Sequence, residues 1–190
     1  CVEGGANPSS QTFEVNSDAD PLDFSLIEDS PWLLKSPSLG TTPTTINVSI
    51  NNFGLVQGKY SDTIAVDAPQ AANSPQYLFV VLTVEPPPPE ISVSPGSFFF
   101  TSVVDSSDPP PQTLQISNTG GSALNWTASN SEPWLDLSPV SGTDAGTVTL
   151  SVNMTGLLVG DYYDTVVVSD PAATNDPVRV PVWLSVASGL

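Results

Sequence analysis

One small module occurs twice in this chain, at a constant spacing of 102 residues. Pro31-Trp32-Leu33 returns as Pro133-Trp134-Leu135, Ser36-Pro37 as Ser138-Pro139, and Gly40 as Gly142. The run Gly58-x-Tyr60-x-Asp62-Thr63 returns as Gly160-x-Tyr162-x-Asp164-Thr165, and Leu82/Val84 as Leu184/Val186. A one-residue slip carries the match back to Gln11-Thr12 and Gln112-Thr113. The copies differ at their front ends. The second opens with a strand-like run, Ile91 to Phe100, for which the first has no counterpart. The repeat predicts two domains, 1–85 and 91–190, the first lacking its opening strand, joined by residues 86–90. Each domain is large enough to bury a core of its own.

Within each module, apolar and polar residues alternate over short runs, the period of a strand that buries one face. Leu114/Ile116, Leu124/Trp126/Ala128, Val148/Leu150/Val152 and Val178 to Val186 follow this pattern in the second copy. Phe13/Val15, Leu22/Phe24/Leu26, Ile46/Val48/Ile50 and Leu78 to Val84 follow it in the first. Turn residues separate the runs, as in Asn118-Thr119-Gly120-Gly121. No helical stripe is sustained anywhere. The expectation is an all-β chain of two tandem sandwiches, each made of two antiparallel sheets. The linker Glu85-Pro86-Pro87-Pro88-Pro89-Glu90 favours a stiff, extended conformation.

Charge narrows the partners. Twenty acidic residues face only three basic ones, Lys35, Lys59 and Arg179, for a net charge of −17. Phosphate recognition needs clustered Lys and Arg, so nucleic acid is not an expected partner. No stretch approaches the ~20 apolar residues of a membrane helix, so no membrane span is expected. The chain has no histidine, which removes the commonest general base and the usual relay triads. With a single cysteine besides, no ordinary zinc or copper site can form, and no cofactor is expected. The acidic clusters Asp18/Asp20/Asp23 and Asp105/Asp108 lie in Ser/Asp/Pro loops and are read as solvated turn chemistry.

Pro-Trp-Leu, Ser-Pro-x-x-Gly, Gly-x-Tyr-x-x-Thr-(Val/Ile) and a closing Val-x-Leu-x-Val strand together resemble the BACON domain. The matching residues are Trp32, Gly40, Gly58, Tyr60, Thr63 and Ile64 in the first copy. In the second they are Trp134, Gly142, Gly160, Tyr162, Thr165 and Val166. The resemblance implies an immunoglobulin-like β-sandwich fold and an extracellular or cell-surface location. It implies a spacer between other modules or a carbohydrate binder; separately, the want of any catalytic set argues against an enzyme. Lack of the opening strand departs from the pattern and puts closure of the first copy in question.

The sites expected from the sequence follow. Trp32, Trp134 and Trp126 belong to the core, and Tyr60 and Tyr162 to sheet corners. Trp183 alternates out of phase with Val182 and Leu184, beside Arg179, and Tyr77, Phe79 and Val81 occupy the outward positions of the first copy. An apolar outer face of this kind calls for a cover: a neighbouring domain, another subunit or a polysaccharide. Cys1 is a candidate lipid anchor, since bacterial lipoproteins begin at a modified cysteine. Asn47, Asn125 and Asn153 each head an Asn-x-Ser/Thr glycosylation pattern. Strand addition from another chain at the unpaired edge left by the missing strand predicts self-association into filaments; these 190 residues hold no spare donor strand, and the alternative is that residues outside this sequence fill the edge.

Overall fold

The computed structural model describes residues 1–18 and 20–189; Ala19 and Leu190 lie outside the described residues. The chain divides into two compact units, Cys1–Pro87 and Pro88–Leu190. Unit 1 contains β1 (Gln11–Val15), β2 (Asp23–Ile27), β3 (Leu33–Ser36), β4 (Leu39–Thr41), β5 (Thr44–Ile50), β6 (Gly58–Asp67) and β7 (Gln76–Val84). Unit 2 contains β8 (Ile91–Ser94), β9 (Phe98–Val103), β10 (Gln112–Asn118), β11 (Asn125–Ser129), β12 (Leu135–Ser138), β13 (Ser141–Thr143), β14 (Gly146–Val152), β15 (Gly160–Ser169) and β16 (Val178–Ala187). The described residues contain strands and no helix.

Each unit stacks two sheets. Unit 1 has the orders β1-β5-β3 and β4-β2-β6-β7. Unit 2 has β12-β14-β10-β8 and β13-β11-β15-β16-β9. Strands β1 to β7 correspond in order and pairing to β10 to β16, so the sequence repeat is a repeat of structure. Unit 2 exceeds unit 1 by one strand on each sheet. β8 runs antiparallel to β10, and β9 parallel to β16. The run from Ile91 to Phe100 is therefore two strands and not one opening strand, because Pro95-Gly96 breaks it and sends its halves to opposite sheets. What unit 1 lacks is a strand from each.

The inward phase of every strand is apolar, as the alternation requires. In unit 2, Leu114, Val148, Leu150, Val166, Val180 and Val182 are fully buried. Trp126 fills the middle of this core and dictates its neighbours. A Cβ on Gly142 or Gly146 would stand 2.3 Å from Trp126 Cζ2, inside any real carbon contact. Unit 1 solves the same place with smaller parts. Phe24 replaces the tryptophan, Gly40 remains a glycine, and Thr44 takes the place of Gly146. A Cβ on Gly40 would stand 3.2 Å from Phe24 Cζ. The smaller ring frees the volume that the threonine uses.

The proline run is engaged at its end. The Gly121 and Thr174 amides donate to the carbonyls of Pro88 and Pro89, at 3.4 and 3.0 Å. These bonds tie the last residues of the run to unit 2.

Candidate functional site

The residues that recur in register are structural. Tyr60 donates its hydroxyl to Val56 O at 2.9 Å, and Tyr162 to Leu158 O at 3.0 Å. Each tyrosine ring meets its module's tryptophan edge-on, with centroids 6.4 Å apart in both units. The repeated aspartates hold the turn before that tryptophan. Asp164 accepts from the Ser131, Glu132 and Thr165 amides, the Ser131 hydroxyl and the Asn130 amide. Burial alone would raise its pKa, yet these donors outweigh burial and hold it below the usual carboxylate value. In unit 1 the Thr63 amide, helped by Ser30, lowers Asp62 in the same direction. No group of three or more potential metal ligands forms among the described residues.

The region that departs between units is the open side of unit 1. In unit 2, β8 and β9 close the gap between the sheets, and Ile91, Phe98 and Phe100 are 3%, 2% and 3% exposed there. Without them, unit 1 keeps a cleft between β1 and β7. Two adjoining recesses of about 670 and 330 Å³ share Phe13 and Leu78 as walls. Leu78 is 36% exposed, whereas its counterpart Val180 is 0%. Phe13, Val15, Val48 and Val80 are only half-buried, while Leu114, Ile116, Leu150 and Val182 are buried. β7 is an edge strand beside this cleft.

Part of the absent ladder is already present. The Cys1 amino group donates to Thr83 O at 3.0 Å, Glu85 N to Cys1 O at 2.8 Å, and Glu3 N to Glu85 O at 2.8 Å. Val2 and Glu85 pair in parallel, as Val103 and Ala187 do in unit 2. Residues 1–3 thus hold the last rungs of the position that β9 takes in unit 2. The next residues along β7, Val80 to Thr83, correspond to Val182 to Ser185, which pair with Phe98 to Thr101.

The predicted outer-face residues fall in both units. Tyr77, Phe79 and Val81 share the outer face of β7 and are 69%, 67% and 54% exposed. Arg179 and Trp183 lie on β16 in unit 2. Arg179 is exposed, and Trp183 is half-buried because Phe99 stacks on it, with centroids 4.6 Å apart and 17° between planes. Tyr163, Trp183 and Phe99 form one cross-strand row over β15, β16 and β9. Sequence reading missed Phe99 and Tyr163. The Phe98-Phe99-Phe100 triplet carried the signal, since a strand must turn its middle residue outward. Cys1 is a half-buried free thiol packed against the core of unit 1. Asn47, Asn125 and Asn153 are all exposed; Asn153 lies just past β14, where its side chain accepts the Thr155 amide at 3.0 Å.

These sheets define a class: two tandem β-sandwiches of immunoglobulin-like type, antiparallel except where β9 joins β16 and Val2 bridges Glu85. Residues 90–180 match the family described as the viral BACON domain. Among curated proteins, no sequence matches the chain. The protocadherin gammaB7 EC3–6 cis-dimer structure is similar over 96% of this chain and 43% of its own, at 14% identity and a TM-score of 0.54. A Bacteroides ovatus GH5 xyloglucanase in complex with a XXXG heptasaccharide is similar at 22% identity and a TM-score of 0.42, over 52% of this chain and 19% of its own. The D0–D1 domain of intimin is similar at 12% identity and a TM-score of 0.32, over 94% and 90%. The chain spans less than half the length of the first two. No helix among the described residues is long and apolar enough to cross a membrane.

Proposed function

We propose that this chain is a non-enzymatic structural protein of the cell surface or extracellular space, built of two tandem BACON domains (1–85 and 91–190) joined at residues 86–90. It acts as a spacer that assembles by taking up a strand at its first domain. One observation carries this reading: the same scaffold is closed in unit 2 and open in unit 1. An open cleft leaves apolar side chains and an unpaired strand edge in water, and strand addition from another chain removes both costs. If the added strands come from like subunits, head to tail, the product is an open filament. Electron microscopy and light scattering of the intact mature protein at high concentration test the assembly. Ordered oligomers are expected, and strictly monomeric particles would sink it.

A second reading is carbohydrate binding on the exposed aromatic row Tyr163–Trp183–Phe99 of unit 2. Aromatic rings aligned across strands offer apolar surface to a sugar. Stacking of Phe99 on Trp183, however, already covers one face of each ring, which favours cross-strand packing. A glycan array on the folded chain decides between them. Binding lost in W183A would support the sugar site.

A further inference from the structure

We infer that the outer face of the larger sheet of unit 2 docks on the same face of a second copy of this chain, about a two-fold axis and with the strands of the two copies antiparallel. The face lies wholly within unit 2 and is independent of strand addition at unit 1.

The charged residues of the sheet β13-β11-β15-β16-β9 are Asp161, Asp164 and Arg179. Asp164 is buried in the turn before Trp134, where it accepts the Ser131 and Glu132 amides. Asp161 and Arg179 stay outside, and both are exposed. Among the described residues the only ion pair is Lys35–Glu28, so both outer charges lack an ion partner within the chain.

Register sets the two charges at opposite ends of one patch. Asp161 pairs with Ser185, and Arg179 with Val167. Two rows lie between. Tyr163, Trp183 and Phe99 make a bulky row, in which Tyr163 and Phe99 are 63% and 67% exposed. Thr165 and Pro181 make a slighter row beside it.

These four rows are complementary to themselves when reversed. A two-fold axis running across the strands between two such faces sets the first row on the fourth and the second on the third. Each Trp183 then covers Pro181 of the second copy. Each Asp161 stands one strand aside from Arg179 of the second copy, about 4.8 Å, within reach of an arginine side chain. Bulk meets relief and charge meets its opposite, twice over. With the strands parallel, Asp161 would face Asp161 and the aromatic rows would collide. The face has no net charge, so the self-repulsion of a chain at −17 is least there. A neutral glycan on the same row would leave both charges unanswered. Unit 1 has Lys59 and Tyr77 at the two charged positions, so this pattern belongs to unit 2. The patch is about 20 Å along the strands and 15–20 Å across, near the lower limit of a specific interface, and the dimer should be weak and concentration-dependent.

Sedimentation of the full chain over a concentration series, with charge-reversal variants, tests this. A monomer–dimer equilibrium is expected. D161R and R179D should each weaken the dimer by more than about tenfold. The double variant D161R/R179D should restore it, and the two single variants should associate with each other when mixed. That recovery also shows that the variants are folded. A wild-type chain that stays monomeric to millimolar concentration, a dimer indifferent to the single changes, or a double variant that fails to recover would each overturn the inference. Oligomers made by strand addition at unit 1 would ignore both charge changes; they would support that reading and overturn this one. A monomer that binds glycans through Trp183 would give the face to a polysaccharide and overturn the dimer.

Discussion

The two units carry one scaffold and end in different states of completion. In unit 2, β8 and β9 put Ile91, Phe98 and Phe100 between the sheets, and the residues around them are nearly free of solvent. In unit 1 the same walls stand, built by Phe13, Val15, Leu78 and Val80, with nothing of that kind between them. The difference teaches that the repeated tryptophan, tyrosine and aspartate positions define the sandwich without closing it. Closure of unit 2 comes from a separate pair of strands joined at Pro95-Gly96, and in unit 1 residues 1–3 hold the last rungs of the corresponding position.

The largest test of that contrast is to open unit 2. Phe100→Ala removes a buried ring from the closing strand and should destabilise unit 2 by about 3–5 kcal/mol. Hydrogen exchange read unit by unit should show the loss in unit 2, with unit 1 unmoved. An effect below about 1 kcal/mol would mean that the closing strand contributes little and that the two units are closer than their burial shows.

The next test exchanges core solutions. Gly146→Thr gives unit 2 the residue that unit 1 has at Thr44 but leaves Trp126 in place. It should cost about 2–3 kcal/mol through overpacking. Adding Trp126→Phe to Gly146→Thr rebuilds the arrangement of unit 1. Denaturant unfolding should then recover most of the loss, a coupling that independent sites would not show.

Acid should separate the units less strongly. The folded-state pKa values of Asp164 and Asp62 lie below the ordinary 3.8. The unfolded chain therefore takes up protons first as pH falls. The stability these groups contribute is complete above that ordinary value and is lost as pH falls through it toward the folded values. Asp164→Asn should cost unit 2 roughly 1–2 kcal/mol at neutral pH and flatten its acid dependence below about pH 4. Thermal scans from pH 6 to pH 2 check both statements. The smallest change is common to both units. Tyr60→Phe removes one hydroxyl bond to a backbone carbonyl, and Tyr162→Phe removes the equivalent bond and the one its hydroxyl accepts from the Leu158 amide; each should cost about 0.5–1.5 kcal/mol. The larger cost is expected at Tyr162, and equal costs in the same exchange experiment would show that the amide bond contributes little.

Much of the scaffold was legible in the residues. The alternation at Leu114/Ile116 and Val148/Leu150 placed the inward faces, and the tyrosine before a valine-rich strand placed the corners. Trp126 was assigned inward from Leu124 and Ala128 alone. The candidate site was less legible. The missing run was visible as an absence, but a single chain position says nothing about which sheet a strand will join. Pro95-Gly96 signals a turn without saying that its two arms part to opposite sheets. The outer-face set was read from phase in each copy, Tyr77, Phe79 and Val81 in one and Arg179 and Trp183 in the other, and phase did not disclose that Phe99 stacks on Trp183. Phase reports which side a residue faces, and contact across strands depends on register.

The sequence by itself determined the repeat, the all-β class, the buried tryptophans and the inequality between the copies. These follow from periodicity and residue type, which are local properties of the chain. Only the tertiary structure decided that the inequality is a cleft, that residues 1–3 already hold part of its ladder, and that Phe98 and Phe100 show what fills such a space. Those facts depend on which strands become neighbours, and pairing between residues distant in the chain is settled by packing.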